Sequence, residues 1–406
     1  MKELSALTSQ CIRCGFCLEA CPTFTETASE LESPRGRIYL VRSALDGKLN
    51  WQDDVKPHLD RCLGCRACET ACPSGVEYGN ILELARDAIE GQRPNRPRQA
   101  LLKVATDPGL MRLQAKLSTF LPGHRIPNFV SRFVSGVDAE VDKPQLPSDW
   151  HVAPLLAKHV PPVRGEVYLL EGCAMRVLFP RVHLATRRLL RRVGYQVREV
   201  KAGCCGAMHA HNGGLDEARE RARDLIQAMP DDLPVIVNSA GCGSTMKEYG
   251  ELLGPEGVSF AKRVRDVSEF FLAEGLAKKL MDSPGLTNRT TYHDACHLAH
   301  GQKIWEAPRK LLAAVPGLDL VPLAEADTCC GSAGIYNVTQ PKLARQLLDR
   351  KMRHIEETEA EIVVLGNPGC HAWIAQGCYE SARKPVVLHL AEMLEASFIG
   401  LDALSN

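Results

Sequence analysis

What this chain lacks narrows its function before anything it contains. Its 406 residues carry 49 Lys plus Arg against 49 Asp plus Glu, so no excess of charge argues for nucleic acid or for strong attraction to anionic lipid. No run of 18 or more apolar residues occurs, the length a spanning helix needs. Any membrane contact is therefore expected to be peripheral, on the inner face of the cytoplasmic membrane, or made through a partner. The opening MKELSALTSQC has neither the basic nor the apolar region of a secretory signal, which makes the reducing cytoplasm the expected compartment. No G-x-G-x-x-G follows a strand-like run, no P-loop is present, and no Ser-His-Asp constellation stands out. The chain thus shows no nicotinamide, flavin or nucleotide site of its own.

Cysteine, by contrast, is abundant. There are 17, and in a chain without secretory features they point to metal rather than to disulfides. Eight fall in two runs of identical spacing, each closed by proline: CIRCGFCLEACP at Cys11, Cys14, Cys17 and Cys21, and CLGCRACETACP at Cys62, Cys65, Cys68 and Cys72. C-x2-C-x2-C-x3-C-P is the ligand run of a bacterial two-cluster ferredoxin, in which the fourth cysteine of each run serves the other cluster. Three cysteines at steps of three wrap a loop around three corners of a cube, and the fourth enters from elsewhere. One 4Fe-4S cluster is then expected on Cys11, Cys14, Cys17 and Cys72, and the other on Cys62, Cys65, Cys68 and Cys21. The proline after each fourth cysteine stops helix continuation and helps aim that thiolate across the pair. A zinc site would more usually show two separated C-x2-C pairs, and a disulfide framework belongs in a short secreted chain. Neither needs the x2-x2-x3-Pro run even once.

The length suits two to four domains. Residues 1–95 read as an α-helical two-cluster module. Ser33 and Pro34 in LESPRGRIYLVRSALDG look like a cap and first turn, and NILELARDAIE carries Ile81, Leu84, Ala85 and Ala88 at helical spacing before GQRPNRPR, which reads as a hinge. Residues 96–164 form a helical linker whose amphipathic LLKVATDPGLMRLQAKLSTFL has two readings, a membrane- or quinone-facing surface or helices packed on the module or a partner.

From residue 165 the chain repeats itself. One copy, 165–285, runs through VYLLEGC (Cys173), AGCCG (Cys204, Cys205, Gly206) and PVIVNSAGC (Cys242). The other, 286–406, runs through TTYHDAC (Cys296), DTCCG (Cys329, Cys330, Gly331) and EIVVLGNPGC (Cys370). First cysteines lie 123 residues apart and last cysteines 128 apart, so the copies are nearly in phase. Short β-branched strands alternate with helices, as in βαβ units around a parallel sheet. The fold class is therefore a multi-domain α+β chain, a helical module followed by two duplicated α/β domains. The cysteines fall where strands end, and ligands gather at the carboxyl ends of parallel strands. Each copy should thus collect four thiols from three loops, and Gly206 and Gly331 supply the tight turn that adjacent cysteines force.

The two ligand runs, the intervening ESPRGRI, both CCG tripeptides and YHDACHL from Tyr292 to Leu298 resemble, over essentially the whole chain, the iron-sulfur subunits of glycolate dehydrogenase, usually called glycolate oxidase. The wider group with CCG repeats includes heterodisulfide reductase, anaerobic glycerol-3-phosphate dehydrogenase and lactate-utilisation subunits. The resemblance implies two 4Fe-4S clusters, with room for one or two more on the CCG cysteines, and a partner subunit whose FAD oxidises glycolate to glyoxylate. It also implies that this chain passes the electrons to a quinone-linked respiratory acceptor and carries no catalytic residue of its own. Its alternatives are a heterodisulfide-reductase-like catalytic subunit, or the same electron-transfer role for lactate or glycerol-3-phosphate. Ser239 and Asn367 stand where the fullest repeat has a further cysteine, which speaks against five-thiolate centres. His209, His211, His293, His297 and His371 crowd the same loops and could ligate, relay protons or donate a hydrogen bond to a cluster; supporting or structural roles are expected, because the thiols already fill four positions. Arg35 and Arg37 could offset cluster charge, bind a partner carboxylate or form structural ion pairs. Cys378, outside the repeat, is expected to be a core thiol.

Overall fold

The computed structural model describes residues 2–113, 161–200 and 203–401. The helical module is organised around helix Pro34–Leu45. Ser33 caps it, its hydroxyl accepting the Gly36 N–H at 3.0 Å, and Pro34 occupies the first turn. This helix buries Ile38, Val41 and Ala44 against Leu59 and against Ile81, Leu82 and Ala85 of helix Tyr78–Gln92. Gly36 has no room for a side chain, because a Cβ there would lie 1.9 Å from the Glu30 carbonyl oxygen. Gly36→Ala should gain about 1 kcal/mol of helix propensity and lose about 1–3 kcal/mol to overpacking. A net fall in the urea midpoint is expected; a rise would show that the turn before the helix yields freely.

The stretch read as a hinge is a pinned corner. Helix Tyr78–Gln92 ends there, Asn95 caps helix Arg96–Thr106 by accepting the Arg98 N–H at 3.1 Å, and Arg98 pairs with Asp60 at 2.9 Å and with Glu90 at 3.7 Å. The second helix lays Leu101 and Leu102 on Ile335, Met208 and Val338 of the repeats, rather than on the module. The rest of the linker, 114–160, lies outside the described residues, and so does the last part of the segment with a membrane- or quinone-facing reading, 114–121. Among the described residues no helix is long and apolar enough to cross a membrane.

Each repeat is a four-stranded, all-parallel sheet. The first comprises β1 (Gly165–Leu170), β2 (Tyr195–Arg198), β3 (Val235–Val237) and β4 (Val264–Asp266) in the order β2-β1-β3-β4. The second comprises β5 (Arg289–Tyr292), β6 (Asp319–Val321), β7 (Ile362–Leu365) and β8 (Val386–His389) in the matching order β6-β5-β7-β8. The inner strands VIV and IVVL are buried throughout, as parallel strands covered on both faces must be. The two copies share one core, where Leu189 and Leu190 of helix Pro180–Arg192 meet Met393 and Leu394 of helix Leu390–Ile399.

The carboxyl ends of β3 and β7 meet. The Ala240 N–H donates to the Gly366 carbonyl at 3.0 Å, and the Gly241 N–H donates to Asn367 Oδ1 at 3.1 Å. The position matching Ala240 in the second copy is Pro368, which has no N–H to return the bond. The His389 Nε2 reaches the Asn238 carbonyl instead, at 2.8 Å, while its Nδ1 accepts the Ala391 N–H.

Candidate iron-sulfur sites

In the module, Cys11, Cys14, Cys17 and Cys72 line one cavity together with Ile38, Val76 and Arg35; Cys68 borders it as well. Cys14 is exposed. Cys21, Cys62, Cys65 and Cys68 lie deeper, all buried, and Cys21 stands close enough to Cys65 and Cys68 to raise the cost of ionising either. The last cysteine of each run thus sits with the first three of the other. Burial first, and then their sulfur neighbours, push the Cys65 and Cys68 thiols well above the ordinary range. Four thiolates are stable in such a place only around a cation, so the donor set fits an iron-sulfur centre. Tyr78 Oη at 3.6 Å and the Gly64 N–H at 3.4 Å both donate to Cys62 Sγ.

The ESPRGRI segment supplies a buried charge network beside this deeper quartet. Arg37 is 1% exposed; its guanidinium donates to Glu32 at 2.9 Å, to Thr23 Oγ1 at 3.0 Å and to the His58 carbonyl at 2.8 Å, and Nη1 stands 4.0 Å from Cys21 Sγ. Burial works against its charge, yet Cys62, Tyr78, Cys21 and Glu32 hold its pKa above the ordinary value. Glu32, also buried, is held below the usual carboxylate range by hydrogen bonds from Arg61 (2.6 Å) and His58 (2.8 Å) and by Arg37. Of the roles weighed for the arginines, Arg37 fills the structural one, paired with Glu32, and its guanidinium also stands beside Cys21. Arg35 is half-exposed, pairs with Glu30 at 2.6 Å and borders the outer cavity. Sequence reasoning passed over Arg86, which donates to the Leu59 and Cys62 carbonyls at 2.6 and 2.8 Å and to the His211 carbonyl at 2.6 Å, fastening the second ligand run to the first repeat. Its signal was available: Arg86 follows Leu82 by four residues, on the buried stripe of its helix.

In the repeats, strand ends gather the thiols. Cys173 opens helix Cys173–Leu178 after β1, Cys204 and Cys205 follow β2, and Cys242 lies in helix Ala240–Lys247 after β3. Cys173 Sγ is 3.6 Å from Cys204 Sγ, and the contacts continue through Cys205 to Cys242. Hydrogen bonds from Cys173 and Cys205 hold the Cys204 thiol well below the ordinary range. The second copy repeats the succession, Cys296 to Cys329 to Cys330 to Cys370, with all but the partly buried Cys296 fully enclosed. Gly206 and Gly331 have φ of 83° and 90°, and a Cβ on either would lie 2.9 or 2.6 Å from a carbonyl oxygen of the next helix. Positive φ and close approach both demand glycine. Cys378 is a buried core thiol, its pKa raised to about 12 by burial.

Two arrangements were not legible in the sequence. Cys65 of the module packs in the same apolar core as Cys329, Cys330 and Cys370. Both quartets of the repeats also open onto one cavity of about 280 Å3, walled by Cys173, Cys204, Cys205 and Cys242 on one side and by Cys296, Cys329 and Cys370 on the other. His211 and His297 line it, their rings 4.9 Å apart, and His211 Nδ1 bonds Glu83 at 2.6 Å. His209 meets Thr106 Oγ1 at 3.2 Å and His371 stacks on Phe179 at 4.3 Å. Ser239 and Asn367 flank Cys242 and Cys370, the Asn367 amide lying 3.6 Å from Cys370 Sγ.

Residues 8–76 match the family described as 4Fe-4S dicluster domain, and residues 167–247 and 290–375 each match the cysteine-rich domain called CCG. The glycolate oxidase iron-sulfur subunit of Escherichia coli (strain K12) is 36% identical over 420 residues, covering 97% of this chain and 95% of that protein. The chain belongs to the glycolate oxidase iron-sulfur subunit family. A second relative, the probable glycolate oxidase iron-sulfur subunit of Bacillus subtilis (strain 168), is 33% identical over 95% of this chain and 92% of its own. Lactate utilization protein A of Geobacillus kaustophilus (strain HTA426) is 34% identical over 57% of this chain and 99% of its own. The glycolate oxidase subunits therefore share both the module and the duplicated CCG domains with this chain along nearly its full length.

Proposed function

We propose that this chain is the electron-transfer subunit of a flavin-dependent glycolate dehydrogenase, receiving electrons from an FAD-binding partner and delivering them to a quinone-linked acceptor. The observation that carries this reading is the succession of thiol quartets: an outer one with an exposed cysteine, a buried one beside Arg37, and a third whose Cys329 and Cys330 share a core with Cys65. A fourth faces the third across the common cavity. Bound iron-sulfur clusters store and pass single electrons, which divides a two-electron flavin oxidation into steps. Cys11, Cys14, Cys17 and Cys72 would hold one 4Fe-4S cluster, and Cys21, Cys62, Cys65 and Cys68 the other. The repeat quartets Cys173, Cys204, Cys205, Cys242 and Cys296, Cys329, Cys330, Cys370 would hold further iron. The apolar walls exclude water, and Arg37 offsets negative charge at the buried quartet. Substrate oxidation belongs to the partner, and membrane attachment, on this reading, is peripheral.

Co-purification tests the whole reading: the tagged chain should bring down an FAD-binding protein, and glycolate should then bleach the visible absorption of this subunit. A chain that purifies without a flavoprotein and stays oxidised in glycolate would count against it. The crossed pairing has its own test. Cys72→Ala should remove the same paramagnetic signal as Cys14→Ala, despite a separation of 58 positions in sequence, and leave the signal that Cys65→Ala removes. If Cys72→Ala and Cys65→Ala damage one common signal, each run serves a single cluster.

A further inference from the structure

We propose that His293 is a nitrogen donor to the metal centre of the second repeat, which is thereby built from four thiolates and one imidazole and differs in kind from the all-thiolate site of the first. This rests on the reading that the repeat quartets hold iron. A ring nitrogen of His293, Cys330 Sγ and Cys370 Sγ all lie within 4.8 Å of one another. Two donors about 2.1–2.3 Å from one tetrahedral metal stand roughly 3.6 Å apart, so a modest closing of this group would bring its three donors to a metal centre, with bridging sulfide or another thiolate filling the rest of the shell.

Three observations point the same way. His293 is fully buried, neither ring nitrogen makes a hydrogen bond of ordinary geometry, and the Ala326 backbone is the one polar neighbour that favours its charged form; an under-satisfied buried polar group costs about 1–3 kcal/mol, a cost that a metal removes. Its backbone is fixed, since the His293 N–H donates to the Val364 carbonyl at 2.9 Å and prolongs the β5–β7 ladder. The ring is therefore presented at the carboxyl end of the sheet, where the thiols converge. Finally, the position that gives fuller repeats their further cysteine is occupied otherwise here. Asn367 spends its oxygen on the Gly241 N–H at 3.1 Å and its amide on Cys370 Sγ, so the additional donor comes from another strand end. Counting three residues back from the first cysteine of each copy gives His293 in the second and Leu170 in the first, so the imidazole is particular to one site. An imidazole donates without adding negative charge, and a thiolate in its place lowers the reduction potential of an iron-sulfur centre, so one nitrogen donor distinguishes this centre from one completed by a fifth cysteine.

The test uses the full chain, purified anaerobically after growth on 15N-histidine, with nitrogen hyperfine coupling read by pulsed electron paramagnetic resonance. The signal that Cys330→Ala abolishes should show strong coupling to one histidine nitrogen. That coupling should vanish in His293→Leu, which installs the residue of the first copy, and in His293→Cys, which should also lower the midpoint potential of that centre. A signal with no histidine coupling, with only the weak coupling of a hydrogen-bonded nitrogen, or with strong coupling that persists in His293→Cys overturns the assignment. If Cys330→Ala removes neither iron nor signal, the second repeat holds no centre, and the broader reading of the repeats fails with it.

Discussion

Cys330→Ala is expected to abolish acceptor reduction by the assembled complex while glycolate still reduces the partner flavin at an unaltered rate. Cys330 is completely buried between Cys329 and Cys370, and that core also contains Cys65 of the module. Its removal interrupts the succession of thiol quartets at the point where module and repeats join. Cys205→Ala, across the common cavity, should give the same separation of flavin reduction from acceptor reduction. Rapid-mixing spectroscopy distinguishes the two halves of the reaction, and chemical iron analysis should show both variants below the parent. If both variants transfer electrons normally, the electron path ends in the module and the repeats serve as a docking platform.

Arg37→Ala should lower the unfolding free energy by about 3–5 kcal/mol, the cost of breaking a buried ion pair from one side. The side chain is 1% exposed and Glu32 is 2% exposed. Glu32 keeps Arg61 and His58, but the sulfurs of Cys21 and Cys62 lose the cation that faces them. Iron bound by the deeper quartet should therefore fall along with the denaturation midpoint. Arg37→Lys should recover little of either, because a point charge cannot serve Glu32, Thr23 and the His58 carbonyl in three fixed directions. A midpoint for Arg37→Ala within about 0.5 kcal/mol of the parent, the range of ordinary surface substitutions, would show that the network is dispensable.

The features readable in the sequence were those fixed by local chemistry. Ser33 and Pro34 announced a helix start because the cap and first turn lie within three residues of each other. The two runs and both CCG tripeptides announced clustered thiols because their spacing is itself the constraint. The strand-end placement of Cys242 and Cys370 followed from βαβ alternation. Features set by distant contacts were not readable. Gly, Pro and Arg in GQRPNRPR marked the break between helices, but the ion pair that ties Arg98 to the module depends on Asp60, 38 positions away. Five histidines near the cysteines looked alike, and only packing separates His293, whose ring makes no hydrogen bond of ordinary geometry, from His371, stacked on Phe179. That the two repeats face one another across a single cavity is a property of how the sheets dock, which no pattern within either copy encodes.

The meeting of the two sheet ends also makes two positions far apart in sequence, 368 and 389, depend on one another. The Asn238 carbonyl is satisfied by the His389 imidazole because Pro368, the counterpart of Ala240, has no N–H to offer. A chain with Pro368 but without His389 would bury an unpaired carbonyl at a cost of about 1–3 kcal/mol, a large share of ordinary marginal stability. A chain with His389 and a donor-bearing residue at 368 would bear no such burden. Replacing His389 alone should therefore be far more harmful than replacing it together with Pro368→Ala, which returns an N–H donor to the Asn238 carbonyl.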